Sequence, residues 1–281
     1  MLNKYKNTLY IIGNGYDLQE GLQTKFTDFK EWLITNKNQD SLKKIEKSFG
    51  LKDENDWNHL EDKMFLSKGI FEEMVNQFKD NASYNISGEW EEEYHIEHEI
   101  SLAVDEDIRD NFIFSEALND LVKSWIKNAL ENSNQKHLIL DSSNSLINFN
   151  YTNYVKGNIL HIHGNIKGDI QFGHSDDSKN DRPRGLYGND DHSGEFWQKL
   201  YCKQIKSNLL KLNKFLSTNK YNQIVFFGFS LGSQDQGYIK ELDKNQSILF
   251  YFLTDLDKER ATDFFDKNNF KSVKYIKSVL F

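Results

Sequence analysis

At 281 residues the chain has the length of one large domain or two modest ones, with enough material for a full core. A formal net charge of −8 disfavours general nucleic-acid binding, since domains of that kind are usually basic. The lone cysteine, Cys202, excludes a disulfide framework and a four-cysteine zinc module. No segment approaches the roughly 20 apolar residues of a membrane span. With no signal-peptide pattern at the amino terminus, the expected location is the cytoplasm.

The first element is a short apolar run, Leu9 to Ile12, that ends abruptly in Gly13-Asn14-Gly15. An amphipathic segment follows, with Phe26, Phe29, Trp32 and Leu33 at helical spacing. Strand, glycine turn and helix in that order bring backbone N–H groups against a phosphate in α/β proteins, because only glycine lets the backbone come so close. A plain tight turn uses the same residues. The Rossmann fingerprint is incomplete, since Leu18 stands where its third glycine belongs.

From about residue 37 to 136 the pattern is mainly helical. Trp57, Leu60, Met64 and Phe65 fit one helical face. Ile70, Phe71, Met74 and Phe78 fit a second, and Phe112, Phe114, Leu118, Leu121, Val122, Trp125 and Ile126 a third. This stretch reads as a helical insertion into an α/β domain formed by residues 1–36 and 137–281. Within it the acidic run 89–99 reads as a solvated face or loop, with a metal site from His95, His98 and the glutamates as the sharper alternative. Glu61, beside Trp57, either enters a cleft or pairs with a lysine, and the second is the simpler expectation.

Strand patterns return at 137–140, 146–150, 158–163 and 169–172. A long loop follows at 178–194, holding the only proline, Pro183. Helical periodicity resumes around 196–216. The end alternates regularly: strand 223–227, glycine turn, short helix near 238–242, strand 248–253, helix 257–266, and a last strand near 273–276. Strands alternating with helices predict an α/β fold with a Rossmann-like parallel sheet.

Parallel sheets bind ligands at the carboxyl ends of their strands, and three unusual segments fall there. They are Gly13 to Asp17, Asn150 to Asn153 followed by His161 to Asn165, and Gly228 to Ser233. Each has an ordinary reading as turn or cap residues; Asn153 and Asp235 fit helix caps, and His161 and His163 fit a buried pair on one strand face. The series glycine turn, Asn-Tyr, His-Gly and Gly-x-Ser-Leu resembles the sirtuin-like NAD-binding domains. That resemblance implies NAD as substrate or ligand. Gly13 and Gly15 would lie by the pyrophosphate, Asn150 and His163 at the catalytic centre, and Gly228 and Ser230 by the adenosine ribose. Asn14, Asp17, Thr152 and Leu231 would complete the binding loops. Two positions depart from that pattern: Asp17 stands in place of the loop's usual serine, and Thr152 where aspartate often follows Asn-Tyr. Asp17 would then accept from a ribose hydroxyl or restore the missing carboxylate.

A closer resemblance is to the AbiH family of phage abortive infection proteins. It rests on Ile12 to Leu18 (Ile-Gly-Asn-Gly-aromatic-Asp-Leu), Trp57 to Glu61, Phe149 to Thr152 and His161 to Gly164. Phe172 to His174 and Gly228 to Gly232 complete it. The family implies anti-phage defence, with a phage or host protein as trigger and a homo-oligomer as a compatible assembly. Within the sirtuin-like reading, breaking the nicotinamide–ribose bond makes His163 the base and Asn150 the positioning amide. Two alternatives stand beside this NAD glycohydrolase. One is a metal-dependent hydrolase built on His161, His163, His174, Asp176 and Asp177. The other is a non-catalytic nucleotide- or phage-sensing module that uses the helical insertion as its interaction surface.

Overall fold

The computed structural model describes residues 2–64, 114, 116–133, 137–175, 202–232 and 234–278. Its centre is a six-stranded, all-parallel sheet formed by β1 (Thr8–Ile12), β3 (Ser145–Asn148), β5 (Ile159–His161), β8 (Gln223–Phe227), β9 (Ser247–Phe252) and β10 (Ser272–Lys277). The order across the sheet is β10-β9-β8-β1-β3-β5. Taking these strands in chain order, that is the 3-2-1-4-5-6 arrangement of doubly wound dinucleotide-binding folds. The fold is α/β and Rossmann-like, as the alternation of strand and helix patterns predicts. Two small pairs stand apart from this sheet, β2 (Leu138–Ile139) with β4 (Val155–Lys156) and β6 (His174–Ser175) with β7 (Cys202–Lys203).

The sheet is covered on both faces, so its central strands read as continuous apolar runs. All five β1 residues are buried, and alternate ones enter different cores. Leu9 and Ile11 join Ile224, Phe226, Ile248 and Phe250 under the helix Asp255–Lys267, which supplies Ala261, Phe264 and Phe265. Tyr10 and Ile12 join Val225, Phe227 and Tyr251 on the opposite face, with Tyr16 and Leu22. The helix Asp255–Lys267 starts at a capping box: Thr254 accepts from the Asp257 amide at 3.1 Å, and Asp257 accepts from the Thr254 amide at 3.0 Å.

The helical part builds a third core. The helix Phe26–Thr35 contributes Phe29 and Leu33, and Gln39–Phe49 contributes Leu42 and Ile45. Gln39–Phe49 ends at Gly50, whose φ of +63° is the left-handed cap glycine accepts without strain. Trp57, Leu60, Met64, Phe114, Leu118, Val122, Trp125 and Ile126 are all buried here, as their helical spacing predicts. The faces drawn through Ile70 to Phe78, Phe65 and Phe112, the acidic run 89–99 and the loop 178–194 lie outside the described residues.

One predicted strand is absent. Residues 169–172 make only an isolated antiparallel bridge, Gly164 to Ile170. Their alternation is real but has another cause: Ile170 and Phe172 enter the helical core, while Gln171 turns to Asn208, whose amide donates to it at 2.6 Å. Asn153 precedes β4 rather than a helix, so it caps none.

Candidate functional site

The order of the sheet reverses between β1 and β8, and their carboxyl ends form the switch point where doubly wound sheets bind ligands. Two glycine loops meet there. The Gly15 amide donates to the Gly228 carbonyl at 2.9 Å, and the Gly13 amide to the Phe227 carbonyl at 3.3 Å. Gly228 sits at φ +59°, and a Cβ on it would lie 2.0 Å from the Tyr16 nitrogen. A Cβ on Gly15 would lie 2.8 Å from the Gly228 Cα, and one on Gly13 2.9 Å from the Gly228 oxygen. The close approach these glycines permit is therefore first of all between two loops of the protein itself.

Beside the crossing loops lies Asp17, only 1% exposed. Thr152 donates to its Oδ2 at 2.9 Å and Tyr154 to its Oδ1 at 3.2 Å. Asp17 and Thr152, which stand on different loops, thus touch each other directly. Burial pushes the Asp17 carboxyl up to about 7, against the pull of these donors. Asn150 ties the same region together, its amide donating to the Gly13 carbonyl at 3.0 Å while its backbone N–H donates to Asn148 at 2.8 Å. Asn14 braces the following loop, donating to the Thr24 carbonyl at 2.8 Å and accepting from its hydroxyl at 2.6 Å.

A charged array lines the same cleft. His163 is 2% exposed and packs edge-on against Phe149 and Tyr238, each 5.6 Å away between ring centroids. Its Nε2 lies 3.0 Å from Asp235 Oδ1, and its Nδ1 is buried without a hydrogen-bond partner among the described residues. Burial, and then the Lys203 ammonium, hold the imidazole below the usual histidine value despite Asp235. The ring is therefore neutral at physiological pH. Burial alone would raise the Asp235 carboxyl, but His163 and Lys203 outweigh it and keep it below the ordinary carboxylate value. Lys203 donates to Glu61 Oε2 at 3.0 Å and to Gln234 Oε1 at 3.1 Å. Burial would lower its ammonium; Glu61 and Asp235 reverse that and raise it. The Tyr151 hydroxyl donates to Glu61 Oε1 at 2.7 Å.

These groups surround a cleft of about 300 Å³, at the small end of the range for ligand sites. Of the residues singled out in the sequence, Gly13, Asn14, Asp17, Asn150, His163 and Ser230 line it. Gly15 and Gly228 are spent on the loop crossing, Thr152 lies behind Asp17, and Leu231 is fully buried in the main core at φ +52°. Glu61 does both things its sequence context offered: it lines the cleft and it pairs with a lysine. Asp235 occupies a helix N-cap position but makes no cap bond, because its side chain turns to His163. Lys203 and Asp235 left no local signal, since each acquires its role from a partner more than seventy residues away.

The metal alternative finds no assembled ligand set. Among the described residues no group of three or more His, Cys, Asp or Glu side chains is placed to hold a metal ion. His163 Nε2 is taken by Asp235, His161 does not line the cleft, and Asp176 and Asp177 lie outside the described residues. No described helix is long and apolar enough to cross a membrane.

A doubly wound parallel sheet with a polar cleft at its switch point defines an α/β protein of Rossmann-like build. The family model for bacteriophage abortive infection, AbiH, matches residues 9–252, and the chain belongs to that family. Membership connects the protein to anti-phage abortive infection. No curated protein and no solved structure matches the chain.

Proposed function

We propose that the switch-point cleft binds NAD or a related nucleotide, and that the protein hydrolyses the nicotinamide–ribose bond. Depleting this cofactor in an infected cell would be its contribution to abortive infection. The observation that carries the reading is the meeting of three loops at the carboxyl ends of β1, β3 and β8. There a buried neutral imidazole and the Asn150 amide line one cleft.

The chemistry asks little of a general acid. Nicotinamide leaves as a neutral molecule, so the positive charge of the transition state collects on the ribose. Water then attacks the anomeric carbon, giving ADP-ribose, nicotinamide and one proton. The protein must hold the sugar, present water to its open face and take that proton. The His163–Asp235 pair can accept it, since the ring is kept neutral by burial and by Lys203. Asn150 contributes dipoles without charge at the ribose. Asp235, whose second oxygen has no partner among the described residues, gives the cleft an anionic group that suits an oxocarbenium-like sugar.

The test is nicotinamide release from NAD by the purified protein in metal-free buffer, beside His163→Ala. The parent should release nicotinamide, and the variant should be slower by about 100-fold or more at an unchanged melting temperature. Equal rates in the two proteins would refute the assignment. If NAD raised the melting temperature of both without being consumed, the protein would be a nucleotide-sensing module instead.

A further inference from the structure

Three carboxylates line the cleft among the described residues: Asp17, Glu61 and Asp235. They are not equally available. Both oxygens of Asp17 are occupied by hydroxyl donors, and the residue is 1% exposed. Glu61 is engaged on both oxygens as well, Oε1 by Tyr151 and Oε2 by Lys203. Asp235 accepts from His163 on Oδ1, while its Oδ2 has no partner among the described residues. Its side chain is 23% exposed, against 3% for the side chain of His163.

His163 itself is poorly placed to touch a ligand directly. One ring nitrogen is covered by Asp235 and the other is buried. The reachable part of the dyad is the carboxylate.

We infer that Asp235 is the catalytic residue that meets the substrate, and that His163 is the positioning residue behind it. This deepens the glycohydrolase reading and rests on it. The open oxygen of Asp235 faces a ribose, whose 2′- and 3′-hydroxyls are donors and whose anomeric carbon becomes cationic as the base departs. In the reaction the carbon–nitrogen bond to nicotinamide breaks with its electron pair going to the ring. The oxygen of water forms the new bond to the anomeric carbon. The water proton passes to the Asp235 carboxylate, is shared with His163, and is then lost to solvent. The ligand class is a β-N-riboside with both ring hydroxyls free, and a 2′-deoxy analogue should be a poor substrate.

The experiment combines turnover and binding. Nicotinamide release from NAD and calorimetric binding of ADP-ribose are measured for the parent, Asp235→Asn, His163→Ala and His163→Gln, with melting temperatures as the check on folding. Asp235→Asn should lower turnover by about 100-fold or more while melting like the parent. His163→Gln offers a donor in place of the imidazole and should recover at least 10-fold of the activity lost in His163→Ala, because it still orients Asp235. The assignment is overturned if Asp235→Asn turns over within threefold of the parent, or if His163→Gln is as inactive as His163→Ala. A parent that neither releases nicotinamide nor binds ADP-ribose would bring down the glycohydrolase reading and this assignment together. A parent that does both beside an equally active Asp235→Asn would bring down this assignment alone.

Discussion

The two walls of the cleft are built on opposite principles. On the β1 side Asp17 is sealed under the crossed glycine loops and satisfied by two uncharged hydroxyls. In the other wall Asp235 and Glu61 stand among cationic and ionisable partners, Lys203 and His163. The same functional group therefore moves in opposite directions: burial raises the Asp17 carboxyl to about 7, whereas His163 and Lys203 keep Asp235 below its ordinary value. Two carboxylates of one cleft can thus rest as a proton holder and as an anion. Family motifs mark Asp17 on the first wall and Glu61 and His163 on the second, but not Lys203 or Asp235.

The largest expected effect breaks the sealed wall. Gly228→Ala places a methyl group against the Tyr16 nitrogen at a positive φ, so it should cost upwards of ~4 kcal/mol or prevent folding. Gly50→Ala is its control. That residue also has a positive φ but has nothing within 4 Å, and chemical denaturation should show a loss of only about 1 kcal/mol.

Next in size is the pH dependence that Asp17 imposes. Its native value near 7 lies above that of the unfolded chain, about 4, so the native state binds a proton that the unfolded state has released. The stability this contributes is complete below about pH 4, declines as pH rises toward 7, and is gone above it. Between those limits the slope should approach about 1.4 kcal/mol per pH unit. Asp17→Asn should remove that slope, which urea midpoints collected across the range would show. A parallel pair of curves would mean that Asp17 is not shifted.

The charged wall is probed by Lys203→Met. Removing the ammonium leaves Glu61 without its cation, and a loss of about 3 kcal/mol is expected in chemical denaturation. The same change should raise the His163 value toward that of ordinary histidine, since Lys203 is one of the causes of its depression. Nitrogen chemical shifts of the ring against pH would report it. Smaller still is Thr152→Val, which deprives Asp17 of one donor and should cost about 1–2 kcal/mol above neutral pH.

Much of the scaffold was legible because periodicity is a local property. The strand at 223–227 is predicted to the residue, and those at 248–253 and 273–276 are displaced by one or lengthened at their ends. The buried helical positions from Trp57 to Ile126 follow directly from their spacing. Two-residue strands such as β4 and β7 are too short to leave a periodic trace. Ile170 and Phe172 mimic a strand because a loop packed on a core can also bury alternate residues. At the site, Gly13, Asn150 and His163 carry motif signals. Asp235 instead looks like a helix cap, and nothing near it in the chain indicates that His163 will reach it across seventy-two positions. The glycines were visible, but the main reason for Gly15 and Gly228 is the loop crossing, which only the three-dimensional arrangement discloses.

The most direct test of this division of labour is a carboxyl-carbon NMR titration of aspartate-labelled protein, with resonances assigned through Asp17→Asn and Asp235→Asn. The account predicts that Asp17 titrates near 7 and that Asp235 remains ionised to below the ordinary carboxylate value. Titration of both groups together near 4 would contradict it, and would leave the cleft without the two distinct walls on which the proposed chemistry depends.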